Sequence, residues 1–158
     1  MKQDNMGHGT ETYEQLTAHM DQLYTFATRY LKYMNQPRDY LTEAKISVAE
    51  AQLVTLVSDR PGITVTEAAK ARNNTLGAIS QLVSKLEKKE LIVRKKLEGN
   101  AKTVHLYSTE KGRLLAVAHR AYNNLRMMQV NQGPVGMCSE EEMSAFYKVL
   151  NLLNEVYQ

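Results

Sequence analysis

At 158 residues, with 43% hydrophobic and 23% charged side chains, the chain is long enough to bury one genuine core and too apolar to be disordered throughout. Its single cysteine, Cys138, excludes an intrachain disulfide framework and fits a reducing compartment; no apolar run is long enough to span a bilayer, and residues 1–5 lack the apolar core of a secretory signal. A cytoplasmic protein with no membrane partner is therefore expected. The net charge of +3 is unevenly spread: residues 60–113 hold 12 Lys and Arg against 5 Asp and Glu, a net +7, while the remainder holds 8 against 12, a net −4. A cationic middle between slightly acidic ends points to a polyanionic partner for the middle and another role for the ends.

Residues 1–9 are polar, contain Gly7 and Gly9, and read as a flexible arm in which His8 is simply solvated. From about Thr10 to Gln36, Leu16, Met20, Leu23, Phe26, Ala27, Tyr30, Leu31 and Met34 recur at helical spacing, and Tyr13, Tyr24 and Tyr33 widen the stripe. A helix this broadly apolar needs more than one partner surface. Packing against other helices accounts for the tyrosines; if some line a small-molecule pocket instead, Tyr24, Tyr30 and Tyr33 are the candidates. Pro37 stops the helix, and residues 38–46 read as a connector or a short helical turn.

Ser47-Val48-Ala49-Glu50 matches a capping box, in which a hydroxyl and a carboxylate satisfy free N–H groups at a helix start. Val48, Ala51, Leu53, Val54, Leu56 and Val57 make the helix that follows largely buried, and Asp59-Arg60-Pro61-Gly62 ends it in a turn. Thr64-Val65-Thr66-Glu67 repeats the capping signature and opens a helix to about Arg72. After the turn residues Asn73-Asn74, Thr75 caps another helix in which Ile79, Leu82, Val83 and Leu86 share a buried face. Its opposite face carries Leu76, Gly77, Ser80, Gln81, Ser84, Lys85 and Lys88: short hydrogen-bonding side chains near the start and cations near the end. Amides and hydroxyls read base edges in a major groove, and lysines hold phosphates, so this is a candidate DNA recognition helix in a helix-turn-helix.

Leu91-Ile92-Val93-Arg94-Lys95-Lys96 and Lys102-Thr103-Val104-His105-Leu106-Tyr107-Ser108 have strand character, with a turn over Leu97-Glu98-Gly99-Asn100-Ala101 between them. This β-hairpin, cationic near its tip, reads as a wing that lays Lys96 or Lys102 along a phosphate backbone or into a minor groove. The DNA-contact candidates are therefore Thr75, Leu76, Gly77, Ser80, Gln81, Ser84, Lys85, Lys88, Arg94, Lys96, Asn100 and Lys102. Thr109 caps a helix from Glu110 to roughly Val130, Gly133-Pro134 breaks the pattern, and Ser139-Glu140-Glu141-Glu142 is a third capping box opening a last helix. These terminal helices carry more apolar surface than a compact winged helix needs. They are expected to bury it against each other and against a second subunit, which would place two recognition helices on successive turns of a pseudo-palindromic duplex.

With Ala78-Ile79-Ser80-Gln81-Leu82-Val83-Ser84-Lys85-Leu86-Glu87-Lys88-Lys89-Glu90-Leu91-Ile92-Val93-Arg94 and Ser108-Thr109-Glu110-Lys111-Gly112, the order of elements resembles the multiple-antibiotic-resistance regulator (MarR) family of bacterial transcription factors over nearly the whole chain. The resemblance implies a mainly α fold with a small β-hairpin wing: residues 10–157 as one domain, with a dimerisation helix and connector over 10–46, a winged helix-turn-helix over 47–109, and C-terminal dimerisation helices over 110–157. It also implies an obligate homodimer that represses nearby genes and releases double-stranded DNA on binding a small amphipathic ligand between its dimerisation and DNA-binding regions. Two positions depart from the family pattern. Glu90 stands where glycine commonly follows the recognition helix, and the wing reads Glu98-Gly99-Asn100-Ala101-Lys102 where the family carries an Asp and an Arg; lysine lacks arginine's planar fork.

Neither a phosphate-binding glycine loop nor a nucleophile–base motif is present, so no enzyme and no cofactor are expected. His19, His105 and His119 lie on three elements without metal-ligand spacing, and the acidic run after Cys138 opposes a reactive thiolate. The alternative to a DNA-binding regulator is a winged-helix protein-interaction module that uses the same helix and hairpin without sequence-specific DNA binding.

Overall fold

The computed structural model describes residues 13–40, 45–97 and 100–156, apart from the side chains of residues 16, 97, 100–102, 131 and 134. The expected arm over residues 1–9 and the tip of the hairpin at residues 98 and 99 lie outside the described residues. The chain runs through helix α1 (Tyr13–Asn35), strand β1 (Pro37–Arg38), strand β2 (Ile46–Ser47), helices α2 (Val48–Asp59), α3 (Val65–Ala71) and α4 (Leu76–Lys88), strands β3 (Ile92–Leu97) and β4 (Asn100–Ser108), helix α5 (Glu110–Gln132), a 3-10 turn (Pro134–Met137) and helix α6 (Glu140–Val156). This is a mainly helical winged-helix fold with a small hairpin, flanked by long terminal helices.

Helix starts follow the side-chain chemistry. Ser47 Oγ accepts from the Glu50 N–H at 3.2 Å while Glu50 Oε2 accepts from the Ser47 N–H at 2.7 Å. Thr64 and Glu67 repeat the exchange at 3.2 and 2.8 Å, and Ser139 and Glu142 at 3.2 and 2.7 Å. All three boxes are present because each pairs a hydroxyl at the cap with a carboxylate three residues on, satisfying two N–H groups that have no intrahelical partner.

The core sits under the helix-turn-helix. Leu53, Val54 and Val57 of α2, Ala68 of α3, Ile79, Val83 and Leu86 of α4, Leu91, Ile92 and Leu106 of the hairpin, and Leu115 of α5 are buried together. The hairpin is antiparallel, pairing Ile92 with Ser108 and Lys96 with Val104, with a register shift between Lys96 and Leu97. It extends further than the sequence suggests: Asn100 and Ala101, expected in the turn, already belong to β4. The loop before α3 adds to its edge, since the Gly62 N–H donates to Leu106 O at 2.9 Å and the Leu106 N–H to Ile63 O at 2.9 Å.

Two expectations are corrected. Of the connector or short helical turn expected over residues 38–46, Arg38 and Ile46 belong instead to a short antiparallel ladder in which Pro37 and Arg38 pair with Ser47 and Ile46, as proline tolerates at a strand's first residue, and residues 41–44 lie outside the described residues. The terminal helices do not bury one another within the chain either: α6 has no buried residue, and Phe146, Tyr147, Val149, Leu152 and Val156 are all more than half exposed. Tyr13, Tyr24, Phe26 and Leu31 of α1, with Leu125, Met127 and Met128 of α5, are exposed to a similar degree.

Candidate nucleic-acid interface

Helix α4 is fixed at both of its ends. At its start Thr75 Oγ1 accepts from the Ala78 N–H at 3.2 Å, and the turn before it closes α3 through the Asn73 N–H to Lys70 O at 3.2 Å and the Asn74 N–H to Ala69 O at 3.0 Å. Asn73 takes a left-handed conformation, φ 46°, which asparagine tolerates better than most residues. Along the helix Ile79, Val83 and Leu86 point inward, while Thr75, Leu76, Gly77, Gln81, Lys85 and Lys88 are exposed and Ser80 and Ser84 half-buried. All eight of the expected contact positions on this helix and its cap are thus open or partly open on one face, hydrogen-bonding groups near the positive end of the helix dipole and lysines near the other. A Cβ built on Gly77 would meet nothing within 4 Å, so another backbone could approach closely there.

Ser84 and Arg94 have partners within the chain. Ser84 Oγ donates to Ser80 O at 3.0 Å and accepts from Arg94 Nη2 at 3.2 Å, and Arg94 Nη1 lies 3.3 Å from Glu87 Oε2. Arg94 thereby braces β3 against α4. Lys95 is placed over the Tyr107 ring at 5.3 Å and Lys96 is exposed on the same strand. Asn100 and Lys102 lie on β4, and their side chains are outside the described ones.

At the other end of α4, Lys89 was not singled out from the sequence. Its Nζ donates to Glu50 Oε1 at 2.8 Å and to Lys45 O at 3.2 Å. Burial alone would push the Glu50 carboxyl up, but the bonds from Lys89 and Ser47 outweigh it and hold the group below its usual range. The capping carboxylate of α2 therefore also fixes the exit of α4. A second glutamate three residues after a serine gives no sequence sign of this double use.

The family model described as MarR family matches residues 46–104, the stretch just described. This segment is a MarR-family domain. The likeness of folds runs further than the matched stretch. Streptococcus pneumoniae FabT, solved in complex with DNA, is 24% identical and superposes with a TM-score of 0.64 over 92% of this chain and 97% of its own. The transcriptional regulator SlyA is 19% identical, with a TM-score of 0.69 over 88% and 93%. Lactococcus lactis ZitR in complex with DNA is 18% identical, with a TM-score of 0.67 over 95% and 100%. No curated protein gives a match.

Just beyond the matched stretch, the Thr-x-x-Gly sequence after the wing is a clasp. Thr109 Oγ1 accepts from the Gly112 N–H at 3.0 Å and donates to Glu90 O at 2.7 Å, while the Thr109 N–H reaches Leu91 O at 3.1 Å. A Cβ on Gly112 would stand 2.1 Å from Leu91 O, so no larger residue fits without moving the α4 exit. Glu90 adopts φ 58°, the left-handed conformation that closes α4: its N–H donates to Glu87 O at 2.9 Å and the Leu91 N–H to Leu86 O at 2.9 Å.

Behind the domain, between α1, α2 and α5, lies a cavity of about 510 Å³ lined by Phe26, Tyr30, Tyr33, Gln52, Asn123 and Arg126 among others. Tyr30 and Tyr33 are in its wall, rings stacked at 6.3 Å, whereas Tyr24 is 74% exposed on α1 and outside the lining. Beside the cavity, Arg38 lies over the Tyr33 ring at 4.0 Å and its Nη1 donates to the Tyr122 hydroxyl at 2.7 Å. Tyr40, pushed up to about 12 by burial, meets the buried His119 edge-on at 5.4 Å. Among the described residues no group of His, Cys, Asp and Glu could hold a metal ion, and no helix is long and apolar enough to cross a membrane.

Proposed function

We propose that the protein is a homodimeric, sequence-specific regulator of transcription that binds a pseudo-palindromic duplex in the cytoplasm, acts as a repressor, and is released by a small amphipathic ligand. The observation that carries this reading is the outward face of α4, where Thr75, Leu76, Gly77 and Gln81 precede Lys85 and Lys88 opposite the buried Ile79, Val83 and Leu86. In this reading Gln81, Ser80 and Thr75 meet base edges or adjacent phosphates, and Lys85, Lys88, Lys96 and Lys102 supply backbone attraction. Ser84 and Arg94 act chiefly as braces, given their internal bonds. The DNA complexes of FabT and ZitR support the same use of the fold, as similar proteins solved on DNA.

The apolar faces of α1, α5 and α6 supply the dimer. Helix α6 buries nothing within its own chain, and a face bearing Phe146, Tyr147, Val149 and Leu152 is stable in water only when covered. A second copy that intertwines the same helices covers both faces at once and sets the distance between the two α4 helices. The domain division expected from the sequence fits this arrangement, with residues 47–109 as the reading head and the flanking helices as the dimer. The ligand site is the cavity behind α2, with Tyr30 and Tyr33 in its wall.

Selection of genomic fragments with purified protein, followed by duplex titration over a salt series, tests the reading. A selected palindrome bound with a steep decline in affinity as salt rises is expected. Gln81→Ala should lose about 1–3 kcal/mol at one base position. Equal losses on selected and random duplex, or a flat salt response, would favour the protein-interaction alternative.

A further inference from the structure

The start of α4 carries no charge and few free hydrogen-bonding groups. Residues 75–81 read Thr-Leu-Gly-Ala-Ile-Ser-Gln, and no arginine occurs between positions 73 and 93. Thr75 Oγ1 is committed to the Ala78 N–H as the cap, Ile79 is buried, and Ser80 is half-buried. What stands open is Leu76, Gly77, Ala78 and the Gln81 amide. Leu76 is the large apolar group among them, 54% exposed at the first helical position.

A single exposed leucine is ordinary on a protein surface, so its exposure alone says nothing. Its place is informative. Among the described residues of the matched stretch 46–104, the large hydrophobic side chains left exposed are Leu76 and, marginally, Val93. The rest lie on α1, α5, α6 and the 3-10 turn, and Leu76 is on none of these, so pairing of subunits through the terminal helices does not account for it. Gly77 follows it with open space around its Cα, which lets another surface close on the leucine.

The N-terminal residues of a recognition helix are the ones that meet base edges. In the major groove each base pair presents donors and acceptors, and thymine alone adds an apolar group, its C5-methyl. Guanine is held by an arginine or lysine at O6 and N7; residues 75–81 contain neither, and Lys85 and Lys88 lie further along the helix. A leucine offers no donor or acceptor, and covering a polar base edge with it strips water without replacing the lost hydrogen bond. The favourable partner for it in that groove is a methyl group.

We propose that Leu76 reads the C5-methyl of one thymine in each half-site, so that base choice at that position rests on an apolar contact and not on a hydrogen bond. This rests on the regulator reading, and supplies for Leu76 a role distinct from that of the Gln81 amide.

The probe is the duplex recovered by selection, with each thymine of a half-site replaced in turn by deoxyuridine, symmetrically in both halves. Uracil keeps thymine's pairing and hydrogen-bonding edge and lacks only the methyl. At one fixed salt concentration, replacement at one such position should weaken wild type by about three- to fourfold per methyl, hence about tenfold for the two half-sites together. Leu76→Ala, an exposed change to a good helix former, should fold and should bind the thymine and uracil duplexes to within about twofold of each other. Lys88→Ala should weaken both duplexes and keep the wild-type ratio between them. With 5-methylcytosine opposite guanine at the same position, wild type should bind about three- to fourfold better per methyl than with cytosine, and Leu76→Ala should bind the two alike. A selected duplex with no uracil-sensitive thymine, or a sensitivity that survives in Leu76→Ala, would overturn the proposal and leave the regulator reading in place. Failure to select any duplex would overturn both.

Discussion

Replacing Glu90 by glycine should stabilise the protein even though it deletes an ion pair. Glu90 sits at φ 58°, where a side chain crowds the following carbonyl, at roughly 1–2 kcal/mol for an L-residue. Glycine removes that strain but enlarges the freedom of the unfolded chain, which takes back roughly 0.4–1 kcal/mol. The lost pair is weak: Lys111 Nζ is 3.9 Å from a Glu90 carboxylate that is 84% exposed, so solvent screens most of it. The balance is a gain of about 0.5–1 kcal/mol, or about 1–4 °C in Tm for a chain of this size. Urea unfolding of wild type, Glu90→Gly and Glu90→Ala measures it. Alanine keeps the Cβ while losing the carboxylate, so it separates the two effects and should stay within about 0.5 kcal/mol of wild type. A glycine variant no more stable than the alanine variant would show that the left-handed exit of α4 stores no strain.

Three further outcomes follow from the same coordinates. Gly112→Ala should cost about 3 kcal/mol or more in a urea titration, because its Cβ would lie 2.1 Å from the Leu91 carbonyl oxygen and backbone must move to admit it. Gly77→Leu should leave the unfolding midpoint the same or higher, since the site is open and leucine favours helix, yet reduce affinity for selected and random duplex alike by about tenfold or more; an unchanged affinity would mean that no backbone comes close at Gly77. Stability should fall as pH drops below about 6.5. The unfolded chain takes up a proton at the ordinary histidine value of 6.5, whereas burial of His119, and then the nearby Arg72 and Arg120, hold the folded group lower. The His119 contribution is therefore fully present above 6.5 and lost progressively below it, and a scan of Tm from about pH 7.5 to 5 should be flatter in His119→Leu.

The helix-turn-helix was legible because its signals are local. Ser47, Thr64 and Thr75 mark helix starts by their own chemistry, and Ile79, Val83 and Leu86 mark the inward face by spacing alone. The ladder of Pro37–Arg38 with Ile46–Ser47 was not, since two-residue strands carry no period and proline reads first as a helix stop. The site was legible to the same extent. Gln81, Lys85 and Lys88 follow from helical geometry, but whether a cation is open or already engaged depends on which elements pack beside it. Arg94 meets Glu87 and Ser84 across a strand–helix junction, and Lys89 meets Glu50 at 39 positions' separation. Tyr24 and Tyr30 look alike in sequence; only the direction of α1 places one in the cavity wall and leaves the other exposed.

These contacts also constrain how such a regulator could be switched. Helix α4 is capped by Thr75, tied to α2 through Lys89 and Glu50, and clasped to α5 through Leu91, Thr109 and Gly112. Its inner face lies in the common core with α2 and the hairpin, so it moves with them as one packed unit. In the proposed ligand-released regulator, a ligand would then not need to unfold or reshape α4; rotating the whole reading head would be enough. In a dimer whose two heads sit about 34 Å apart, each lies about 17 Å from the two-fold axis, and a rotation of about 10° carries it about 3 Å. A displacement of that size exceeds the tolerance of a hydrogen bond between Gln81 and a base edge, while leaving lysine–phosphate attraction largely intact. Release by this route should therefore abolish discrimination between selected and random duplex before it abolishes binding, so that the ligand-bound protein retains the salt-dependent, non-specific affinity of the free one. Loss of specific and non-specific binding in parallel would instead require the ligand to disturb α4 itself, against the bonds that hold both its ends.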